Sequence, residues 1–476
     1  MTFTKKAKIV VTLGPATDSE ESVKELIKAG ANVFRFNTSH GEYDYHKAKI
    51  RMVKKVAEEM KVFVATLVDL QGPKIRIGKL NKEIPLNKGD EIVLEHYEGE
   101  IKEGIIPVDY KGIADDVKKD AVILVDDGKI QLKVKDINDN KVYTEVIVPN
   151  ILKPRKGINI PGSTASLSAV TERDIEFIKL AVNEDVDFIA LSFVREKNDV
   201  LLAKKYIQEF NGDIPVVAKM EKPQSMANLS EIVSSADAVM VARGDLGIEL
   251  SPVEVPICQK KIIQECSKYK KPVIVATQML ESMIDNPIPT RAESSDVANA
   301  ILDGADAVML SAETSVGKYA TEAVKMMSEI IIATEASGFY KYDYEPEMLP
   351  EISTLTRQAI VTGADRMIKT VNAKAVLSFS HSGKSTKIMS KMKPKVPIIL
   401  ICDTKQTARR MALSWGVFSY YKNWDETITG EILLSFDEFL INEIGLKTDD
   451  YVIIIGSQPN LITSRTNFIR VHRIGA

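Results

Sequence analysis

Along this 476-residue chain, eight short apolar runs each give way to an amphipathic segment, and that alternation constrains the fold more than any other feature. The runs are Lys8 to Gly14, Asn32 to Asn37, Val62 to Asp69, Asp187 to Phe193, Ile214 to Glu221, Ala238 to Asp245, Pro272 to Gln278 and Asp306 to Glu313. Helical spacing follows in segments such as Ser19 to Gly30, Tyr45 to Met60, Thr171 to Asn183, Ser225 to Ser235, Val255 to Tyr269, Arg291 to Leu302 and Tyr319 to Thr334. Strands that are apolar throughout are covered on both faces, as in parallel sheets. Eight strand-helix units are the number that closes a (β/α)8, or TIM, barrel.

Polar residues gather at one end of the runs: Thr12 and Pro15, Arg35 and Asn37, Asp69, Ser192, Lys219 and Glu221, Asp245, Thr277, Ser311 and Glu313. A barrel carries its active site at that rim, where the loops converge. The densest group is Lys219 and Glu221, then Arg243-Gly-Asp245, closing two adjacent apolar runs. Lys219 and Glu221 are two apart and share a side of their strand. Neighbouring strands lie about 4.8 Å apart, which lets Glu221 and Asp245 grip one cation. Two carboxylates with room for waters and substrate oxygens suit Mg²⁺, or Mn²⁺, better than zinc. A structural ion-pair cluster is the competing reading, and the one-sided distribution of polar residues argues against it.

The chain is too long for one core. Residues 1–72 and 162–340 read as the barrel, and residues 73–161 interrupt its third unit. In that insert Asp90 to His96, Ala121 to Val125, Lys129 to Lys135 and Lys141 to Val148 alternate in the strand period, with turns at Asp126-Asp127-Gly128 and Asn138-Asp139-Asn140. A small inserted β-barrel on the active-site face, jointed by Gly72-Pro73 and Pro161-Gly162, reads as a lid. After a Tyr/Pro/Glu linker near Tyr340 to Pro350, residues 345–476 read as a separate α/β domain with strands at Ala373 to Ser380, Val396 to Cys402, Val417 to Tyr421 and Asp450 to Ser457.

A net charge of −3 offers no footprint for nucleic acid. No apolar run reaches the ~18 residues of a membrane span and the start lacks a signal-peptide core, so a cytoplasmic location is expected. Three cysteines without CxxC spacing indicate neither a zinc site nor a disulfide framework. Ser380 and Ser382-Gly383-Lys384-Ser385-Thr386 follow a strand and open a helix, a geometry suited to holding phosphate and hence a phosphorylated effector.

Lys8-Ile-Val-Val-Thr-Leu-Gly-Pro-Ala16, Asn32-Val-Phe-Arg-Phe-Asn-Thr-Ser-His-Gly41, Asp69-Leu-Gln-Gly-Pro-Lys-Ile-Arg76, Ala218-Lys-Met-Glu-Lys-Pro223, Met240-Val-Ala-Arg-Gly-Asp-Leu-Gly-Ile248, Ala276-Thr-Gln-Met-Leu-Glu-Ser-Met283, Pro289-Thr-Arg-Ala-Glu-Ser-Ser-Asp-Val-Ala-Asn299 and Met309-Leu-Ser-Ala-Glu-Thr314 resemble the motifs of the pyruvate kinases, in the family's order. The resemblance spans barrel, lid and C-terminal domain. It implies Mg²⁺-dependent phosphoryl transfer from phosphoenolpyruvate to ADP, giving pyruvate and ATP, by a homotetramer. By that resemblance Lys219 and Arg35 face the transferring phosphoryl group, and Glu221 and Asp245 hold Mg²⁺. Gly244, Asp245 and Thr277 seat the substrate, and Thr277 and Ser311 order proton delivery to the enolate. Thr12, Pro15, Asn37, His40, Arg76 and Lys156 face the nucleotide. Asn37, Ser39, Asp69 and the Leu70 carbonyl match the monovalent-cation site.

Lys74 stands where many members carry glutamate. A lysine there, as in a prokaryotic subset, places a tethered ammonium near that cation site, so K⁺ is expected to be dispensable. The alternative is that Lys74 points to solvent on the lid hinge. Another Mg²⁺-dependent barrel enzyme of phosphoenolpyruvate or oxaloacetate enolate chemistry needs the carboxylate pair but neither lid nor nucleotide residues. A non-catalytic effector-binding relic needs neither Lys219 nor the carboxylates.

Overall fold

Each apolar run forms a strand of only four or five residues: Lys8–Thr12, Val33–Asn37, Ala65–Asp69, Phe188–Leu191, Val216–Met220, Ala238–Ala242, Val273–Ala276 and Ala307–Leu310. The computed structural model describes residues 5–96, 104–161, 167–340, 352–422, 436–457 and 465–475. All neighbouring barrel strands pair in parallel, and the first pairs with both the second, at Val10↔Val33, and the eighth, at Lys8↔Ala307, which closes an eight-stranded barrel. Its interior is filled by small and medium side chains such as Val10, Ala65, Leu67, Ala190, Val217, Ala238, Met240, Ala276 and Met309. A second apolar cluster lies between the strands and the surrounding helices.

The second and third strands end where expected, at Asn37 and Asp69, but the other six stop one to three residues early, and that shortening matters for the site. Glu221 falls just after its strand, and Asp245 lies not on a strand but in the short helix Arg243–Glu249. Helix starts follow their sequence signals closely. Ser19, Thr171 and Thr290 each cap a helix with a reciprocal side-chain box, an arrangement worth about 1 kcal/mol apiece. The segment read as one helix from Ser225 to Ser235 divides at Asn228 into Pro223–Ala227 and Leu229–Ser235.

The insert folds around its own core and enters through a stem in which Ile75–Arg76 pairs antiparallel with Gly157–Asn159. Its main sheet has seven strands rather than the four expected; the stem pair and Ile105–Val108 were too short or too irregular to show a period. The sheet curls until its edges meet at an Ile77↔Val108 bridge. Asp139 and Asn140 both take positive φ, 51° and 61°, as a tight hairpin turn requires. Of the joints, Gly162 lies outside the described residues, as does most of the linker from Tyr340 to Pro350.

The C-terminal domain is a five-stranded sheet in the order Val417–Tyr421, Ile398–Cys402, Ala375–Phe379, Tyr451–Gly456, Phe468–Arg473. The last strand is antiparallel and was not expected; it is an edge strand whose exposed Arg470 and Arg473 mask its pattern. This domain caps the floor of the barrel, opposite the rim. Ala412 and Leu413 enter the barrel's inner core. Buried Asp306, before the eighth strand, meets Lys391 at 2.6 Å and Lys393 at 2.9 Å, and Arg409 meets Asp187, before the fourth, at 2.9 Å.

Candidate active site

At the rim the ends of the second, third and fifth strands bring Arg35, Asp69 and Lys219 together. Asp69 is fully buried and divides its oxygens between two cations: Arg35 Nε lies 2.6 Å from Oδ2 and Lys219 Nζ 3.1 Å from Oδ1. Lys219 also lies 2.9 Å from Glu221 Oε1 and donates to Ser192 Oγ at 2.7 Å. Burial opposes the charge on Lys219, yet Asp69 and Glu221 outweigh it and hold the ammonium protonated well above the ordinary lysine range. Burial likewise opposes ionisation of Asp69, but Lys219 and Arg35 pull its carboxyl below the usual value. The lysine is therefore a fixed, dry cation at the working pH, not a proton donor.

Glu221 shares its place with Asp245. Burial first, and the Asp245 charge in addition, push the Glu221 carboxyl upward against the pull of Lys219. Its Oε2 accepts the Phe193 N–H at 2.7 Å, and each oxygen retains a further lone pair. Two mutually repelling carboxylates at a rim are the environment that a divalent cation relieves, and a hard cation with several waters or substrate oxygens fits a pair better than a full cage. No group of three or more His, Cys, Asp or Glu suited to a metal occurs among the described residues.

Thr277 takes φ +70°, uncommon for a β-branched residue. Arg243 enforces it, donating to the Thr277 carbonyl at 2.7 Å while paired with Asp296 at 2.7 Å. The bend aims the Thr277 hydroxyl at the N–H of Gly244, 2.8 Å away, so the two groups expected to seat substrate are already coupled. On the next strand Ser311 Oγ is buried without a hydrogen-bond partner among the described residues, while its N–H is held at 2.7 Å by Glu313. Glu313, a buried carboxylate pushed upward by desolvation, also takes the Leu280 N–H and so ties two rim loops together.

Other expected residues are placed less directly. The Thr12 hydroxyl is fully engaged, accepting from Arg35 Nη1 at 3.0 Å and donating to the Leu310 carbonyl at 3.0 Å, so it braces the arginine. Pro15 and His40 are exposed beside the mouth. In the lid, Lys156 pairs with Asp126 at 2.9 Å, and Arg76 Nη1 donates to the Arg155 carbonyl at 3.3 Å. Asn37 and Asp69 are register partners on adjacent strands; Asn37 Oδ1 accepts the Ser39 N–H at 3.2 Å, and the Leu70 carbonyl accepts from Ser192 Oγ at 2.7 Å. Lys74 is half-buried with its stem against Gly157, where an added Cβ would lie 2.8 Å from Lys74 Cε. The Lys74 N–H donates to the Gly72 carbonyl at 2.9 Å, while no hydrogen bond or ion pair joins the Lys74 ammonium to another described residue.

Near the C-terminal domain's first strand, Gly383 adopts φ +71° and donates its N–H to Ser380 Oγ at 3.0 Å. Thr386 and Ser385 spend their hydroxyls internally, on Ser378 and Thr466, while Ser382 and Lys384 are exposed.

Sequence reading missed the bracing roles of Ser192, Arg243 and Glu313. In the sequence Ser192 and Glu313 show only as polar strand ends, and Arg243 only as part of a tripeptide.

No helix among the described residues is long and apolar enough to cross a membrane. Comparison with known proteins agrees with the geometry. Residues 4–324 match the family model "Pyruvate kinase, barrel domain" and residues 358–472 match "Pyruvate kinase, alpha/beta domain". The chain is 39% identical over 478 residues to the pyruvate kinase of Staphylococcus aureus strain USA300, covering 99% of this chain and 81% of that one. It is 40% identical over 479 residues, at the same coverage, to the pyruvate kinase of the bovine strain RF122 / ET3-1. Among solved structures, a pyruvate kinase from Cryptosporidium parvum superposes with a TM-score of 0.90 at 30% identity, covering 99% of this chain and 96% of that one. With the closed barrel, the rim cluster and matches across both major domains, the chain belongs to the pyruvate kinase family and is a phosphotransferase.

Proposed function

We propose that this protein transfers the phosphoryl group of phosphoenolpyruvate to ADP with Mg²⁺ bound, without needing K⁺. The observation that carries the reading is Lys219, a permanently charged lysine held between Asp69, Glu221 and Ser192 next to Arg35. Phosphoryl transfer passes through a loose transition state with charge spread over the equatorial oxygens, so catalysis is chiefly positioned positive charge. Lys219 and Arg35 supply that charge without reorganising, because Asp69 fixes both.

Mg²⁺ held by Glu221 and Asp245 would supply further neutralisation of the phosphate and of the enolate oxygen. The substrate carboxylate approaches the Gly244 N–H and the Thr277 hydroxyl, which orient it through the helix Arg243–Glu249. The enolate left by phosphate departure takes a proton at its methylene carbon. The unpartnered Ser311 hydroxyl, beside Thr277, is suited to ordering the water that delivers it. The lid contributes Arg76 and Lys156 toward the nucleotide and excludes water when it moves over the mouth; in the structure both cations are held within the lid.

Asn37, Ser39, Asp69 and Leu70 form the rim segment where a monovalent cation would sit. Lys74, with no carboxylate partner among the described residues, provides a tethered charge near that segment, as in a prokaryotic subset of the family. The exposed Ser382 and Lys384, with the Gly383 turn, form the side of the C-terminal domain where a phosphorylated metabolite would act. A homotetramer in the cytoplasm is the expected setting. The test is an ADP-dependent pyruvate assay on purified protein without added enzymes: pyruvate and ATP should appear in equal amounts. Pyruvate formed without ADP, or no pyruvate at all, would exclude this activity in favour of other enolate chemistry or none.

A further inference from the structure

Glu249 ends the short helix that carries Gly244 and Asp245, and its side chain is 1% exposed. One oxygen, Oε1, accepts from Lys222 Nζ at 2.5 Å and from Asn159 Nδ2 at 3.0 Å. These partners come from separate parts of the molecule. Lys222 directly follows Glu221, whereas Asn159 ends the lid-stem strand Gly157–Asn159. Glu249 itself lies four residues beyond Asp245, on the same face of the helix. A single buried carboxylate thus touches the chain beside one candidate metal ligand, the helix of the other, and the stem of the lid.

The arrangement is not the cheapest way to fill the space. The second oxygen, Oε2, is buried without a hydrogen-bond partner among the described residues, and such groups are costly and uncommon. Lys222 Nζ also lies 5.5 Å from the Phe193 ring centroid, and Phe193 is held at φ +54° with its N–H on Glu221. A cavity of about 50 Å³ between Lys74, Asn159, Phe193 and Lys222 leaves room for the stem to shift. A positive-φ residue, an unsatisfied oxygen and local free space are features that gather at switch regions.

We propose that Glu249 is a positioning residue that ties the lid stem to the two segments bearing the metal-binding carboxylates, so that nucleotide capture by the lid and cation binding at the mouth are coupled. The proposal rests on the functional reading above. Without the tie the stem gains freedom that nucleotide binding must then remove, and ADP affinity falls. Phosphoenolpyruvate, seated on the barrel alone, is little affected.

Two substitutions in the full-length protein test this. Asn159→Leu removes the stem's bond but leaves Lys222 paired with Glu249; the KM for ADP should rise about tenfold, the value expected from losing one hydrogen bond to a charged group, with the KM for phosphoenolpyruvate within about twofold. Glu249→Gln keeps an acceptor for Asn159 but strips Lys222 of its counter-charge, and the half-saturating Mg²⁺ concentration should rise several-fold. Amide exchange at residues 157–159, read without substrates, should quicken in Asn159→Leu and stay near the parent rate in Glu249→Gln. An unchanged exchange rate in Asn159→Leu, or a uniform loss of turnover that tracks thermal stability with both KM values fixed, would overturn the proposal. If the parent protein makes no ATP, the functional reading fails, while the exchange measurement still decides whether the tie exists.

Discussion

Replacing Lys219 by methionine removes one charge while keeping an unbranched side chain that fills most of the same space. The ammonium lies 3.1 Å from Asp69 Oδ1 and 2.9 Å from Glu221 Oε1. At an effective dielectric near 20, unit charges about 3 Å apart attract by roughly 5 kcal/mol before desolvation is counted. Asp69 keeps Arg35 at 2.6 Å, whereas Glu221 keeps only the Phe193 N–H and still faces Asp245. The loss of a buried partner costs about 3–5 kcal/mol, so the metal-free variant should melt markedly lower, with Mg²⁺ restoring much of the difference by serving the stranded carboxylates. Turnover should fall by about 10³- to 10⁵-fold, the range for removing a cation that acts chiefly in a phosphoryl-transfer transition state. Phosphoenolpyruvate and Mg²⁺ binding should survive. Thermal melts with and without Mg²⁺, calorimetric titration and pyruvate release separate these effects. Activity within tenfold of the parent would refute the role given to Lys219.

Replacing residues 72–162 with a short linker should leave a folded barrel that makes no ATP, since nucleotide contacts and water exclusion go together; a folded variant working at the parent rate would remove the lid from the mechanism. Assayed in tetramethylammonium against K⁺ at equal ionic strength, the parent should be indifferent to K⁺ and Lys74→Glu should acquire a K⁺ requirement; strong K⁺ activation of the parent would reverse that assignment. Ser382→Ala combined with Ser385→Ala should abolish the response to whichever phosphorylated metabolite activates the enzyme, and an unaltered response would make the loop structural. Burial pushes Lys8 and Lys393, at the barrel floor, down to about 8 from an ordinary value of 10.5. Between those values the unfolded chain binds more protons than the native one, so stability should rise as pH climbs from about 8 toward 10 and stay flat on this account below 8. A melting temperature that falls from pH 8 through pH 9.5 would contradict those buried charges.

What the sequence disclosed depended on the range of the physics involved. Lys219 and Glu221 could be read as neighbours because a strand repeats every two residues, and they do meet at 2.9 Å. The helix starts at Ser19 and Thr171 were equally local. Asp69 was assigned only to a monovalent cation, because its contacts with Arg35 and Lys219 join strands distant in the chain and leave no local pattern. Asp245 was read as a strand end, since Arg243-Gly-Asp continues an apolar run until the backbone turns into a helix at Arg243. Glu249 sat unnoticed in the same stretch. Its one visible signal was an acid four residues after Asp245, and only the lid stem arriving from residue 159 gives it meaning.

The central claim is that one phosphoryl group passes directly from phosphoenolpyruvate to ADP at the rim that holds Lys219. Phosphorus NMR of the purified protein with phosphoenolpyruvate, ADP and Mg²⁺ follows that atom itself. The phosphoenolpyruvate resonance should decline in step with growth of the ATP γ-phosphate resonance, without inorganic phosphate, and the exchange should all but cease in Lys219→Met. Inorganic phosphate appearing in place of ATP, or an unchanged spectrum with the parent protein, would contradict it.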